Sequence, residues 1–210
     1  MINIWLFSTF SGVIKVTDQE RDWSKNLPEK RKKKFLISRS YLREMLSSIL
    51  KISKLDVPLF SPPGMPPTLR GEGLGFVGIS YSFNYFLIAW GPNKFGIDLE
   101  KIDRNFQAKK IVEKYFTEKE KKVLNNSNDF RSNVLRYWVS KEAAIKYDRG
   151  SLSKDIMNWE LNENLNLIFN KKKNYELPLK IFAFNNHYIA IVSKDPSMKK
   201  MPFICFDNIS

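Results

Sequence analysis

Residues 94–100 read Lys-Phe-Gly-Ile-Asp-Leu-Glu, and this stretch, KFGIDLE, decides which architecture we expect for the chain. Its apolar residues predict a strand, and in a strand residues two positions apart point to the same face. Asp98 and Glu100 would therefore project together. Such a pair can simply be the solvated face of a strand, or it can hold a hard cation through oxygen ligands. The stretch alone leaves both interpretations open.

A second informative stretch, YWVSKEAAIKYD, covers residues 137–148 and ends a helix predicted over 129–148. Glu142 and Lys146 lie four residues apart, on one face of that helix. On a surface, such an ion pair stabilises a helix by only a few tenths of a kcal/mol. Alternatively, Glu142 supplies the third carboxylate of a cation site on the strand that carries Asp98 and Glu100.

The patterns around these stretches alternate between strands and helices and indicate an α+β fold. We predict two α+β halves, residues 1–100 and 101–210, from this order of elements. The segments SFNYFLIAW and AFNNHYIAIVS give weak support for an internal repeat, because each has Phe-Asn before a strand that begins with an aromatic residue. Thr117 and Glu120 have the spacing of a capping box that opens a short helix. The other predicted elements are a strand at 2–7, a helix at 28–53, a Pro- and Gly-rich loop at 56–75, a hairpin at 76–90, a helix at 105–116, and strands at 156–161, 165–169, 179–184 and 187–193.

Composition limits the classes of protein that fit. The chain has 210 residues, 43% of them hydrophobic and 27% charged, which is typical of globular domains. No apolar run approaches the ~20 residues that cross a bilayer, and the first residues lack a basic signal-peptide region. One cysteine, Cys205, excludes an internal disulfide and favours the cytosol. His187 is predicted to be a solvated turn residue.

The net charge of +13 predicts an anionic partner. Nucleic acid, a membrane surface, an acidic protein and a phosphorylated ligand all fit, because a lysine-rich composition alone does not choose among them.

Together, the two stretches resemble the signature of the 4'-phosphopantetheinyl transferases of the surfactin-synthetase-activating (Sfp) type. That signature is a Gly-x-Asp-x-Glu strand followed, further along, by Trp-x-x-Lys-Glu-Ala-x-x-Lys. Three further segments are similar to the family: KKKFLISRSYLR (32–43), GMPPTL with GISYS (64–82), and EKYFTEKEKKVL (113–124). The matching signature residues are Gly96, Asp98, Glu100, Trp138, Lys141, Glu142, Ala143 and Lys146.

The resemblance implies a fold and an activity. The family fold is a pseudo-dimer of two similar α+β halves, with the active site in the cleft between them. The family transfers the phosphopantetheine arm of coenzyme A to a serine of an acidic acyl or peptidyl carrier protein, with Mg²⁺, and releases adenosine 3',5'-bisphosphate. We therefore expect a cytoplasmic, monomeric holo-[acyl-carrier-protein] synthase that binds neither nucleic acid nor membranes.

The resemblance also implies roles for individual residues. Asp98, Glu100 and Glu142 would bind the metal, and Glu142 would accept the proton of the carrier serine. Lys146 would offset charge on the departing bisphosphate, and Asp98 would belong to the same catalytic group. Trp138 would pack in the core. The residues expected to contact coenzyme A are Arg31, Lys34, Ser80, Tyr81, Lys141 and Lys146.

Two positions depart from the family pattern. Tyr81 replaces the usual histidine and Met65 the usual lysine, so two cations are missing from the expected nucleotide pocket. Arg70 or Lys94 could compensate. These changes support an alternative of another class: a catalytically impaired basic module on the same scaffold, which binds an acidic protein or nucleic acid. The carrier, the pathway and the preference for Mg²⁺ over Mn²⁺ stay open.

Overall fold

In a computed structural model, which describes residues 1–8, 14–199 and 203–206, the chain is a mixed α+β protein. Its helices are α1 (Asp18–Ser24), α2 (Glu29–Leu50), α3 (Ala108–Tyr115), α4 (Glu118–Asn125), α5 (Phe130–Tyr147) and α6 (Leu152–Asp155). Short 3₁₀ turns cover Ile156–Asn158 and Pro196–Lys199. Its strands are β1 (Asn3–Ser8), β2 (Leu59–Phe60), β3 (Thr68–Leu69), β4 (Phe76–Ser82), β5 (Tyr85–Gly91), β6 (Phe95–Lys101), β7 (Trp159–Leu161), β8 (Leu167–Asn170), β9 (Tyr175–Phe184), β10 (His187–Ser193) and β11 (Phe203–Phe206).

The described residues group into two compact units that interleave along the chain. Unit 1 draws on Met1–Ile79, Asn84–Pro92 and Pro202–Ser210, and unit 2 on Ser80–Phe83 and Asn93–Met201. The sequence predicted a single division at residue 100, whereas the chain moves between the units around the β4–β5 hairpin. Whether two similar halves form a pseudo-dimer stays a prediction.

The core of unit 1 lies between helix α2 and the strands β1 and β5. β1 pairs parallel with β11 and antiparallel with β5, within a sheet of order β11-β1-β5-β4. The apolar side of α2 buries Leu42 and Leu46 against Phe7 and Phe86. The ring of Phe7 also stacks on Tyr41, with 4.5 Å between the ring centroids. The 3.6-residue periodicity of the predicted helix at 28–53 is therefore explained by this burial.

Unit 2 is an antiparallel sheet of order β6-β10-β9-β8-β7 with α5 packed on it. Two residues of α5, Val139 and Ala143, are fully buried in a core that includes Ala190 and Val192 of β10. Because α5 is buried along most of its length, its few charged residues must have specific partners or reach the surface.

Most predicted elements are confirmed, among them the strand at 94–100, the helix at 129–148 and the capping box of Thr117 and Glu120. Helix α1 and strand β11 were not predicted. The prediction that His187 is solvated is wrong, because it is 1% exposed in β10. Its Nδ1 lies 2.6 Å from the Asn185 carbonyl oxygen, and burial lowers the pKa of its imidazole. Across the described ranges, each helix is too short or too polar to cross a bilayer.

Candidate active site

Three carboxylates meet where β6 faces helix α5. Asp98 and Glu100 project from β6, and Glu142 projects from α5. One carboxylate oxygen from each lies within 4.8 Å of the others. Asp98 is 2% exposed, while Glu100 and Glu142 are half-buried. The structure thus brings together the three acids that the sequence suggested as metal ligands.

Gly96 permits the close approach of α5 to β6 that assembles this cluster. A Cβ atom at this position would lie 2.0 Å from the Ala143 carbonyl oxygen and 2.6 Å from the Tyr147 amide nitrogen. Both neighbours are backbone atoms, which cannot move aside as a flexible side chain can. A glycine is therefore required two residues before Asp98 for the helix to lie this close to the strand.

Two serines of β4 bind the acids of β6. The Ser80 hydroxyl donates a 2.6 Å hydrogen bond to Asp98 Oδ1, and the Ser82 hydroxyl donates a 3.1 Å bond to Glu100 Oε2. Ser80 and Ser82 are two residues apart on a strand, so they point to the same side. The alternation Ser-Tyr-Ser therefore matches the alternation Asp-Leu-Glu on the facing strand.

Lys146 places a cation at the buried end of the cluster. Its Nζ lies 2.6 Å from Asp98 Oδ1 and 2.9 Å from Ser80 Oγ. One interpretation of the sequence was a surface ion pair between Lys146 and Glu142. In the structure, Lys146 instead forms an ion pair with Asp98, which is 2% exposed. Lys146 keeps about a third of its side-chain surface, so its ammonium can also meet a ligand from solvent.

Burial and mutual repulsion shift the protonation of two of the acids. Burial and the nearby Asp98 carboxylate raise the pKa of Glu142 to about 8, although Lys146 opposes the shift. Burial also raises the pKa of Glu100, against a hydrogen bond from the Arg104 guanidinium that lowers it. Three carboxylates this close cannot all ionise cheaply without a compensating cation.

The cluster fits a hard divalent cation. Asp98 Oδ2 is buried and accepts no hydrogen bond from the described residues, although Oδ1 accepts from both Ser80 and Lys146. A buried carboxylate oxygen without a partner requires an explanation, and a bound cation provides one. An all-oxygen donor set suits Mg²⁺ or Mn²⁺ better than a softer metal.

Lys141 neighbours Glu142 in sequence but lies in the core of unit 2. Its side chain is fully buried, with Nζ 2.6 Å from Glu120 Oε2 and 4.8 Å from the centroid of the Phe116 ring. The second oxygen of Glu120 accepts a hydrogen bond from the Leu161 amide. This enclosure favours a structural role for Lys141 over the predicted contact with coenzyme A.

The other predicted coenzyme A residues lie on helix α2 and strand β4. Arg31 and Lys34 lie on α2 in unit 1, and burial together with Lys30 lowers the pKa of Lys34 to about 8. Tyr81 is exposed between the two serines of β4, and partial burial raises the pKa of its phenol. Nucleotide contacts by these residues stay predictions.

Three contacts of the predicted site residues were missed from the sequence. Ser82 binds Glu100, Arg104 forms an ion pair with Glu100, and Glu120, which was predicted only as part of a capping box, is the partner of Lys141. Glu100 lies in strand β6 and Arg104 lies beyond the turn that follows it, so the i,i+4 rule for helices does not apply to this pair. The other two contacts depend on the tertiary fold.

Three carboxylates within 4.8 Å of one another, with a lysine beside them, are an arrangement that can hold a divalent cation for chemistry on phosphates. Residues 94–193, just under half of the chain, match the family model described as the 4'-phosphopantetheinyl transferase superfamily. This range includes Asp98, Glu100, Glu142 and Lys146. No curated protein matches the chain.

Proposed function

We propose that this chain transfers the 4'-phosphopantetheine arm of coenzyme A to a serine of an acidic apo acyl or peptidyl carrier protein. The by-product is adenosine 3',5'-bisphosphate, and the reaction depends on Mg²⁺. The proposal makes the chain a transferase of the Sfp type. Its location in the cytosol and its monomeric state remain predictions from the sequence.

One observation carries the proposal: the oxygens of Asp98, Glu100 and Glu142 converge within 4.8 Å inside the range matched by the superfamily. Three adjacent carboxylates repel one another, and this repulsion opposes folding. A purely structural role would therefore not require them. The buried Oδ2 of Asp98, which accepts no hydrogen bond from any residue that the structure describes, also supports a bound cation.

The metal would be held by Asp98, Glu100 and Glu142, and when bound it neutralises and orients the pyrophosphate of coenzyme A. The chain's own residues do the remaining work. Glu142, deprotonated, accepts the proton of the carrier serine, directly or through a water. Lys146, which is held by Asp98 and Ser80, offsets the charge that grows on the leaving phosphate.

The decisive experiment is intact-mass analysis of an apo acyl carrier protein incubated with this protein, coenzyme A and Mg²⁺. We expect a gain of one phosphopantetheine, lost with a chelator and in Glu142→Ala. Glu113→Ala, which removes an exposed glutamate of α3, is the matched control and should retain activity. A folded wild-type protein that modifies none of several unrelated carriers would refute the proposal and favour the basic binding module.

A further inference from the structure

The end of helix α5, the helix that carries Lys146, departs from two local rules. Asp148 is the C-cap residue, where a carboxylate meets the negative end of the helix macrodipole. Arg149 follows with a φ of +53°, in the left-handed region that glycine or asparagine usually occupies at a helix end. Its amide donates to the Lys146 carbonyl, and the Gly150 amide donates to the Ile145 carbonyl. Because this end is unfavourable by itself, contacts from elsewhere in the fold must hold it in place.

Three donors of the β8–β9 hairpin supply those contacts. The Tyr175 hydroxyl donates a 2.5 Å hydrogen bond to Asp148 Oδ1. Lys173 Nζ lies 2.8 Å from Asp148 Oδ2, and Asn170 Nδ2 lies 3.4 Å from the same oxygen. Both oxygens of Asp148 therefore have partners, and its side chain is 10% exposed. We call these four residues, Asp148, Asn170, Lys173 and Tyr175, the Asp148 clamp.

The hairpin side of the clamp is built on buried residues. The Tyr175 ring packs edge-on against Trp159, which is 0% exposed, with 5.7 Å between the ring centroids. Asn170 is also buried, and its Oδ1 accepts a 2.9 Å hydrogen bond from the Lys173 amide. Burial and the hydrogen bond to Asp148 raise the pKa of the Tyr175 phenol, so its hydroxyl keeps its proton and stays a donor. The clamp thus joins the end of α5 to a fixed part of the sheet.

The same end of α5 also rests on β6. A Cβ atom at Gly96 would lie 2.6 Å from the Tyr147 amide nitrogen, so helix and strand are in close contact one residue after Lys146. The Lys146 ammonium lies 2.6 Å from Asp98 Oδ1. A shift of the helix end by about 1 Å would lengthen this contact beyond hydrogen-bond distance. Contacts on both sides, with β6 and with the β8–β9 hairpin, prevent such a shift.

We propose that the Asp148 clamp positions the Lys146 ammonium against Asp98 and Ser80 for the transfer reaction. The inference rests on the proposed function, in which Lys146 offsets charge on the leaving phosphate. The residues of the clamp are positioning residues, because they act through the end of the helix and not on the reacting atoms. A clamp that only stabilised the fold would affect the melting temperature and leave kcat unchanged.

The test uses Tyr175→Phe, which removes the hydroxyl and keeps the ring against Trp159. We expect kcat to fall about ten-fold, since a misplacement of about 1 Å can cost up to about 100-fold in rate. KM for coenzyme A and for the carrier should stay within about three-fold, because the charge that Lys146 offsets develops in the transition state. In a Lys146→Met background, Tyr175→Phe should lower the remaining rate by less than about two-fold, because its effect passes through the missing ammonium.

A second readout does not depend on activity. In protein labelled with ¹⁵N-lysine, an ammonium held by a carboxylate and a hydroxyl exchanges its protons slowly enough to give a ¹⁵N–¹H NMR signal. The signal of Lys146 is assigned by its loss in Lys146→Met. In Tyr175→Phe it should broaden or disappear.

The matched control is Tyr41→Phe, which removes a tyrosine hydroxyl that donates a 2.9 Å hydrogen bond to the Ser8 carbonyl in unit 1. It should lower the melting temperature as Tyr175→Phe does, but it should retain both kcat and the Lys146 signal.

The outcomes separate the clamp from the proposed function. An active wild type with unchanged kcat in Tyr175→Phe would overturn the positioning role, even if the melting temperature falls. A further ten-fold loss in the Lys146→Met background would overturn it too, because the hydroxyl would then act by another route. A wild type that modifies no carrier, but whose Lys146 signal is lost in Tyr175→Phe, would refute the proposed function and support the hold of the clamp on the ammonium.

Discussion

Replacement of Glu142 by glutamine should stabilise the metal-free protein, and the gain should grow with pH. Burial and Asp98 raise the pKa of Glu142 from 4.5 to about 8. A carboxyl whose pKa is higher in the folded than in the unfolded state makes its full contribution to the stability of the folded protein below the unfolded pKa. That contribution is lost as pH rises through the folded pKa. At about 1.4 kcal/mol for each pKa unit, the limiting loss is about 5 kcal/mol.

Urea unfolding in chelator at pH 5 and pH 9 measures this loss. The variant's advantage in free energy of unfolding should be small at pH 5 and should reach about 3 to 5 kcal/mol at pH 9. Glu113→Gln, on the exposed side of α3, should show no such trend. An advantage of equal size at both pH values would refute the reasoning, because a glutamate with the same pKa in the folded and unfolded states makes no pH-dependent contribution to stability.

The same pair of proteins separates a structural from a metal-binding role for Glu142. Mg²⁺ at pH 8 should raise the melting temperature of the wild type, because a ligand that binds only the folded state stabilises it. The glutamine variant should gain far less, since one of three carboxylate ligands is neutral. A variant that is more stable without metal and less responsive to it shows that this carboxyl is kept for function at the expense of stability.

Three further predictions follow from the geometry. Gly96→Ala should lower the transfer rate at least about 100-fold in steady-state kinetics. The reason is that a Cβ 2.0 Å from the Ala143 carbonyl oxygen forces helix α5 and strand β6 apart. Full activity of this variant would contradict the prediction. Lys146→Met should strengthen Mn²⁺ binding about ten-fold in calorimetry while lowering the transfer rate, since a competing cation beside the acids is lost; weaker binding would show that the lysine supports the metal instead. Lys141→Met should destabilise the protein by about 3–5 kcal/mol in urea unfolding, because Glu120 is left buried without its cation, and the double variant with Glu120→Gln should recover most of that loss.

The elements of the site were predictable because each depends on local periodicity. The strand alternation of KFGIDLE places Asp98 and Glu100 on one face, and the capping box of Thr117 marks the start of α4. The family signature then connected the strand to Glu142. These features need only the period of two in a strand and the local capping chemistry of a helix, both of which can be read from the chain.

The partners of the lysines could not be predicted in this way. Helical spacing paired Lys146 with Glu142, but the approach of α5 to β6 at Gly96 brings its ammonium to Asp98 instead. The resemblance to the family predicted that Lys141 contacts coenzyme A, yet in the structure it pairs with Glu120, 21 residues earlier. In both cases the partner comes from a tertiary contact, and no sequence period encodes it.

The cations around the cluster distinguish Glu142 from the two acids of β6. Asp98 has Lys146 and Glu100 has Arg104, so each acid of β6 has its own counter-charge. Glu142 faces both of these acids, and its pKa rises to about 8 despite Lys146. A carboxyl in this position holds a proton near neutral pH and loses it readily when positive charge arrives. Glu142 is therefore the acid of this cluster whose pKa lies closest to neutral pH, between two acids that each have a cation of their own.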